Sequence, residues 1–334
     1  MPRPRKWLAI LNMVFAIGCR HCPLMENIHS MSEEDLVFLS RARLLGFHFS
    51  VLFEHSDFQQ TQLECLMAIY LLCVGQINRA SKFSSMALRS ALSLGINLRL
   101  TDPQTAEAAK EARGRLWWPI YSLEHLITSV TGRASSVSEN ICSGSVPFPC
   151  EEETFEHPET KRLLQDPTLR DTHLRPSLFV HHLVDLNLVT QALMNKVDSI
   201  EGLRQGASRT EYHVQKLGLK MDCWLTKLPP AYRFTLPDAG PWHLKHPQLD
   251  DLAAPFVRER VCLAMNYYSA RIILCRPCLT YNHTNTQIQA SRPQSSSSNP
   301  DLSSRSNLRS EMATHCLQAA CAFISILPES PDLS

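Results

Sequence analysis

Between Glu111 and Ser135 the chain reads EARGRLWWPIYSLEHLITSVTGRAS, a 25-residue window holding Arg113, Arg115 and Arg133 beside Trp117, Trp118 and Tyr121. Arginines gathered in this way are the side chains that grip phosphate, because a planar guanidinium offers paired donors to two oxygens. A phosphate site needs several unpaired bases on one face. Here the bases are interleaved with Glu107, Glu111 and Glu124. Glu111 and Arg115 stand four apart with the acid N-terminal, an arrangement that stabilises a helix surface by about 0.2–0.5 kcal/mol, so Arg115 is expected to be partnered. Leu116, Ile120, Leu123, Ile127 and Val130 recur at alternating spacings of four and three. That period predicts one long helix with a buried stripe, widened by Trp117 and Tyr121. Pro119 removes one backbone donor and is expected to kink this helix without ending it, because the apolar period continues past it.

Other candidates for chemistry are sparser. His181 and Asp185 fall on one helical face and could ligate a metal with His182 nearby, but no third or fourth ligand is spaced to join them, so a solvated helix surface is the expectation. Asp250 and Asp251 in QLDDLAA resemble the paired aspartates with which prenyl-converting helical enzymes hold magnesium. No further acid follows at 254, and the pair reads better as the acidic start of the next helix. Cys19 with Cys22, and Cys275 with Cys278, each have the spacing of half a zinc site. The chain has 12 cysteines, and the others, such as Cys65, Cys142, Cys262 and Cys316, are dispersed through apolar runs as reduced core thiols would be, which suggests an intracellular protein. A Gly-rich phosphate loop, a nucleophile elbow and a paired-His zinc helix are missing from the sequence.

The elements that must position these residues are helical throughout. The 334 residues carry 33 Lys and Arg against 32 Asp and Glu, and 44% are apolar. That balance gives a globular chain with a sizeable core and no global attraction to polyanions. The three basic residues and the apolar run from Trp7 to Ile17 have the outline of a secretory signal. Trp7, Ile10, Leu11, Val14 and Ile17 recur at helical spacing, however, so a buried first helix is expected, with no export and no membrane span. Ser32 can cap a helix from Glu33 to Phe53. Leu63, Met67, Tyr70 and Val74 share a face, Gly75 breaks the run, and Asn78 starts a helix whose face is Phe83, Ala87, Ala91 and Leu94, closed by Gly95. A Ser-, Gly- and Pro-rich loop from Gly132 to Pro149 follows the window, then helices near 177–201, 209–228 and 252–276, with a Pro-punctuated connector from Lys227 to Gln248. Residues 281–307 are Ser-rich and poor in apolar groups, so disorder is expected there. Met312, Cys316, Ala320, Phe323 and Leu327 then form a last helical face, close enough to the end of the chain that the domain is expected to be truncated. The fold class is all-α, a multi-helix array of antiparallel helical hairpins around one core.

Taken in order, these segments resemble the fungal-specific transcription factor domain, the middle homology region of fungal zinc-cluster transcription factors. In that family a helix with an acid, a basic cluster and Leu-Trp-Trp runs into a Tyr-x-Leu-Asp-Arg-like segment and a Gly-Arg-Pro turn. The corresponding residues are Glu111, Arg113, Arg115, Leu116, Trp117, Trp118, Tyr121, Gly132 and Arg133. RKWLAILNMVFAIG, LSRARLLG and LECLMAIYLLCVGQINRASKFSSMALRSALSLGINL resemble the earlier helices. LAMNYYSARIILCRPCL, with Arg276 and Pro277, and HCLQAACAFISIL resemble the later ones, so the resemblance covers residues 3 to 327. Gly114 replaces a usual basic residue, Glu124 and His125 replace Asp-Arg, and Ala134 replaces the proline of the turn. Gly114 costs a helix roughly 0.5–1 kcal/mol relative to alanine, which the fold should survive.

What the resemblance implies is a nuclear transcription regulator and not an enzyme. Residues 1–280 would form the regulatory domain, 281–307 an insertion and 308–334 its final helix. The domain would hold the protein inactive, or sense a metabolite, in the control of a metabolic or secondary-metabolite gene set, and its signature residues would be mainly structural. The family's six-cysteine binuclear zinc cluster does not occur in this chain, so no residue here is assigned to DNA or to a metal, and zinc is expected only with an upstream module. Transcriptional co-regulators are the implied partners; a small-molecule inducer and a homodimer stay open. Two readings from other classes are a helical scaffold that binds only proteins, which should expose an apolar groove where a sensor buries a cavity, and a metal-dependent enzyme using His181 and Asp185 or Asp250 and Asp251.

Overall fold

A computed structural model describes residues 5–26, 34–47, 55–102, 104–133, 135–137, 141–144, 146–148, 157–158, 160, 177–196, 207–236, 241–242, 244, 256–289 and 300–327. These residues form nine helices, and the only β-type pairing among them is an isolated bridge between Thr235 and Leu244. The all-α expectation holds. None of these helices is long and apolar enough to cross a membrane. The chain divides into two compact units, Met1–Phe148 and Pro149–Leu333.

The first unit contains α1 (Arg5–Glu26), α2 (Glu34–Gly46), α3 (Phe58–Cys73), α4 (Ile77–Ser93) and α5 (Glu107–Thr131). Helix α1 packs on α2 and α3, α3 pairs with α4, and α4 packs on α5. Asp57 caps α3, its carboxylate accepting from the Gln60 N–H at 2.8 Å while Lys6 approaches it at 2.6 Å. The hairpin expected at Gly75 is present. Gly75 adopts φ 74°, and the N–H groups of Gly75 and Gln76 donate to the carbonyls of Leu72 and Leu71, which closes α3 in a Schellman turn. Gly95, at φ 63°, closes α4 in the same way, with Gly95 and Ile96 donating to Leu92 and Ala91. The start of α4 is shifted from expectation. The turn delivers the chain into helix at once, so Ile77 is the first helical residue and Gln76 occupies the N-cap without a side-chain cap bond, leaving Asn78 inside the first turn.

Two expected faces need correction. On α1 the residues at zero exposure are Ala9, Met13 and Ala16, whereas Trp7 is 40% and Val14 50% exposed. The small residues face inward because the helices approach closely there: a Cβ on Gly46 of α2 would run into Leu63 and come within 3.0 Å of the Ala9 Cβ. Helix α2 ends at Gly46, short of the expected Phe53; Ser32, Glu33 and 48–53 lie outside the described residues. Helix α5 runs unbroken through Pro119 to Gly132, whose φ of 65° terminates it. Leu116, Ile120, Leu123 and Ile127 are buried as the period predicts, and Val130, at the exposed last turn, is not.

The second unit contains α6 (Ser177–Lys196), α7 (Ala207–Lys227), α8 (Val257–Gln289) and α9 (Pro300–Ile326). Helix α8 lies along α9 and contacts α6 and α7. Its core joins Leu186, Leu193, Val214, Met221, Leu263 and Leu274 to a knot of rings. Trp224 stacks on Tyr267 at 5.8 Å, and its indole N–H donates to the His182 carbonyl at 3.0 Å. On α9 the buried positions are Met312, Cys316, Ala319, Ala322 and Ile326, while Leu327 is exposed. The expected face was therefore displaced by its larger residues, as on α1. Helix α8 continues to Gln289 and α9 begins at Pro300, so helix takes in both flanks of the 281–307 stretch; residues 290–299 lie outside the described residues.

Candidate functional site

The arginines of the opening window each reach a neighbouring segment of the first unit. Arg113 donates to the carbonyls of Leu94 (3.2 Å) and Gly95 (2.5 Å), placing a cation on the carbonyl end of α4, where the helix dipole favours it. Arg115 pairs with Glu111 at 2.9 Å, and the same Glu111 oxygen accepts the Phe148 N–H at 2.9 Å. Arg133 donates to the Asn78 side chain at 2.5 Å. Trp117, Trp118 and Tyr121 are buried together, with Tyr121 edge-on to Trp118 at 5.4 Å. Glu124 is buried and accepts from Ser84 Oγ of α4 at 2.8 Å. These contacts bring Glu111, Arg113, Arg115 and Arg133 onto the ends of α4 and the loop at Phe148, and do not gather them around one space. Arg276 is exposed on α8, with Pro277 next to it inside the helix.

The metal candidates separate in a similar way. His181 Nε2 is 3.7 Å from Asp185 Oδ2 with both side chains well exposed, and among the described residues no group of three ligating side chains assembles. Asp250 and Asp251, like the side chain of Cys22, lie outside the described residues. Cys275 and Cys278 are buried free thiols, pushed up to about 12 and about 11 by burial. A thiol held protonated is a poor metal ligand.

The feature the sequence did not reveal lies among α1 to α4. A cavity of about 570 Å³ opens there, lined by Arg20 of α1, Leu36, Leu39 and Arg43 of α2, Phe47, Met67, Tyr70, Leu71 and Val74 around α3, Gln76, and Arg79, Phe83 and Met86 of α4. Its lining is apolar apart from Tyr70, Gln76 and three arginines, and no acid is among the lining residues. Beside it Asp35, 1% exposed, accepts from Arg20 Nε and from the Tyr70 hydroxyl, both at 2.6 Å. Burial and the Asp35 carboxylate push the Tyr70 phenol up to about 12. Arg20 is raised in spite of burial, which acts against it, because Asp35 bonds and pairs with it. Deeper in the unit Glu64 accepts from Ser90 Oγ (2.7 Å) and Gln60 (3.3 Å); burial raises its carboxyl, and these two bonds oppose the rise.

In the second unit Arg271 is 3% exposed on α8. It donates to the Tyr267 hydroxyl from two nitrogens (3.0 and 2.9 Å), pairs with Asp222 of α7, and lies over the Trp242 ring at 5.6 Å. Burial lowers it to about 10. Gly218 gives it room: a Cβ there would come within 3.3 Å of its guanidinium. An arginine set among the apolar residues of YYSARIIL was the sequence signal for this cluster.

Comparison with known proteins places these geometries in a family. The model of the fungal specific transcription factor domain matches residues 3–226. The chain is 44% identical to "Transcription regulator galc" of Aspergillus niger over 99% of its own length and 43% of that relative. It is 25% identical to "Sorbicillinoid biosynthetic cluster transcription factor 2" of Penicillium rubens over 98% of its length and 44% of the relative, and 21% identical to "Activator of stress genes protein 1" of Candida albicans over 88% and 30%. The chain thus spans less than half the length of each of these relatives. No solved structure matches it. With the family model covering well over half of the chain, and regulators of transcription on every side of it, the chain belongs to the fungal-specific transcription factor domain family.

Proposed function

We propose that this chain is the regulatory, effector-sensing part of a fungal transcription regulator that acts in the nucleus on a metabolic or secondary-metabolite gene set. The observation that carries this reading is the cavity of about 570 Å³ inside the five-helix unit, a volume in the range of small-molecule sites, in a chain whose relatives regulate transcription. A sensor must couple occupancy to a change of state, and a ligand shifts an equilibrium only through different affinities for the two states. A cavity walled by four separate helix and loop segments supports this, because closing around a ligand would bind those segments together. The window residues Glu111, Arg113, Arg115 and Arg133 have a structural task in this reading: they fasten α4 and the Phe148 loop to α5. Trp117 fills the core beneath them.

The test is a fusion of the full chain between a heterologous DNA-binding module and an activation module, read with a reporter in a fungal host grown on a panel of carbon sources and secondary-metabolite precursors. Reporter output that changes with at least one growth condition is expected. Identical output under every condition, from a folded fusion, would sink the sensing role. The scaffold reading is favoured by a different observation, the exposed Phe15 (46%), Val37 (49%) and Leu44 (79%) on α1 and α2. It expects polar substitutions at those three positions to abolish regulation while cavity substitutions leave it intact.

A further inference from the structure

The chemistry of the cavity wall specifies more than its size. Leu36, Leu39, Phe47, Met67, Phe83 and Met86 supply apolar surface from three helices and the end of α2, with the Phe47 and Phe83 rings meeting edge to face at 5.3 Å. Such walls take up an apolar body. The charged lining residues are Arg20, Arg43 and Arg79, one each from α1, α2 and α4. Guanidinium groups stay protonated at any physiological pH, so the lining carries three positive charges and no negative one.

The three arginines differ in how they are held. Arg20 has its Nε engaged by the buried Asp35, which fixes the plane of the guanidinium and offsets its charge. Arg79 is bonded through one terminal nitrogen to Gln76 at 2.9 Å, a neutral partner that positions it without neutralising it. Both Arg43 and Arg79 are exposed. The uncompensated charge therefore belongs to Arg43 of α2 and Arg79 of α4, which both line the apolar hollow. A guanidinium matches a carboxylate with two parallel donors.

We infer that the cavity binds an organic carboxylic acid, with the carboxylate held by Arg43 and Arg79 and its aliphatic or aromatic body lying among Leu39, Met67, Phe83 and Met86. A bare inorganic anion would leave the apolar walls unfilled, and a neutral apolar molecule would leave two guanidiniums unused. An amphipathic acidic helix from a partner shares the chemistry but needs a groove several turns long, whereas this hollow of about 570 Å³ matches the volume of a small molecule. The inference rests on the effector-sensing reading for its biological meaning but not for its binding chemistry.

The experiment uses the full chain and dansyl-undecanoic acid, whose fluorescence rises on entering an apolar site, with its carboxamide as the neutral twin. Saturable binding of the acid with one site per chain is expected, and the carboxamide should bind at least about tenfold more weakly. The double variant Arg43→Gln with Arg79→Gln changes two exposed side chains, so the fold should persist by circular dichroism. It should weaken the acid by about tenfold or more and leave the carboxamide where it was. Met86→Trp, which fills the hollow, should weaken both. Equal binding of acid and carboxamide would overturn the assignment, as would an acid affinity untouched by the double variant. Complete competition by inorganic phosphate, or displacement by an acidic amphipathic peptide where free acids fail, would overturn it as well. The reporter fusion separates this from the broader reading. A reporter that responds to growth conditions but ignores the Arg43 and Arg79 variants removes the site and keeps the sensor. Acid binding as described, with a reporter that never responds, keeps the site and removes the sensor.

Discussion

Both units bury an acid beside an arginine, Asp35 with Arg20 in the first and Glu211 with Arg309 in the second, but they differ in their other buried charges. The first buries acids: Asp35, Glu64 and Glu124 are each 4% exposed or less. Two of them are satisfied by hydroxyls and amides, Glu64 by Ser90 and Gln60 and Glu124 by Ser84, and the third is shared between Arg20 and Tyr70. The second buries one acid, Glu211, paired with Arg309 of α9, and a base, Arg271, which lies against the rings of Tyr267 and Trp242 and reaches Asp222. Aromatic faces can solvate a guanidinium, because their quadrupoles present negative charge to it and its flat surface packs against them. They cannot do this for a carboxylate, which must find a donor for each lone pair or lose free energy. The base lies where rings and a carboxylate meet, whereas Glu64 and Glu124 lie where hydroxyls or amides are at hand.

The scale for this comparison is set by the apolar core. Trp117→Ala removes a side chain only 1% exposed and is expected to cost about 3–5 kcal/mol, measured by denaturant unfolding; near-normal stability would mean that α5 does not need its signature tryptophan as filler. Arg271→Ala should come next, at about 2–5 kcal/mol, because its stem and planar head fill space as a large core residue does. Arg271→Met separates the two roles. If packing dominates, methionine restores most of the loss, and if it restores none, the contacts with Tyr267 and Asp222 carry the stability.

Asp35→Asn should cost about 1–3 kcal/mol, since Arg20 and the Tyr70 hydroxyl would share a neutral, weaker acceptor. A neutral outcome would show that the first unit tolerates its buried acid without using the charge. The smallest effect is one of pH. The folded pKa of Glu64 is raised by burial, so the native state holds a proton that the unfolded chain releases, and this group's contribution to stability falls as pH rises from the ordinary carboxylate pKa through the raised one. Glu64→Gln cannot titrate. The variant should therefore gain on the natural chain across that interval and hold a constant difference above it. A difference independent of pH would indicate that the Ser90 and Gln60 bonds cancel the effect of burial.

Much of the helical plan was readable because Gly75, Gly95 and Gly132 mark helix ends, and because the period of α5 is carried by large residues. The buried faces of α1 and α9 were not. Hydrophobic periodicity weights side chains by size, so it chose Trp7, Val14 and Leu327, whereas the fully buried positions include Ala9, Ala16 and Ala319, and Gly46 lets α2 approach Ala9. Small residues let backbones approach, and the large ones are left toward the surface. The cavity was hidden for another reason. Arg20, Arg43 and Arg79 lie on three helices and share no motif, and their convergence is created only when α1, α2 and α4 pack around α3. The window drew attention because its arginines are adjacent in sequence, and the fold sends each of them to a different place.

Gly218 has a consequence for how this chain can vary. A β-carbon at 218 would stand 3.3 Å from the guanidinium of Arg271, close enough that the arginine must shift by a few tenths of an ångström, so the two positions constrain one another. An alanine at 218 suits a chain with a shorter or more pliable residue at 271, and Arg271 suits one in which 218 stays bare. Each change made alone should therefore cost more than its share of the two made together. A double-mutant cycle at 218 and 271 should therefore show coupling, which makes this α7–α8 contact a unit of two positions.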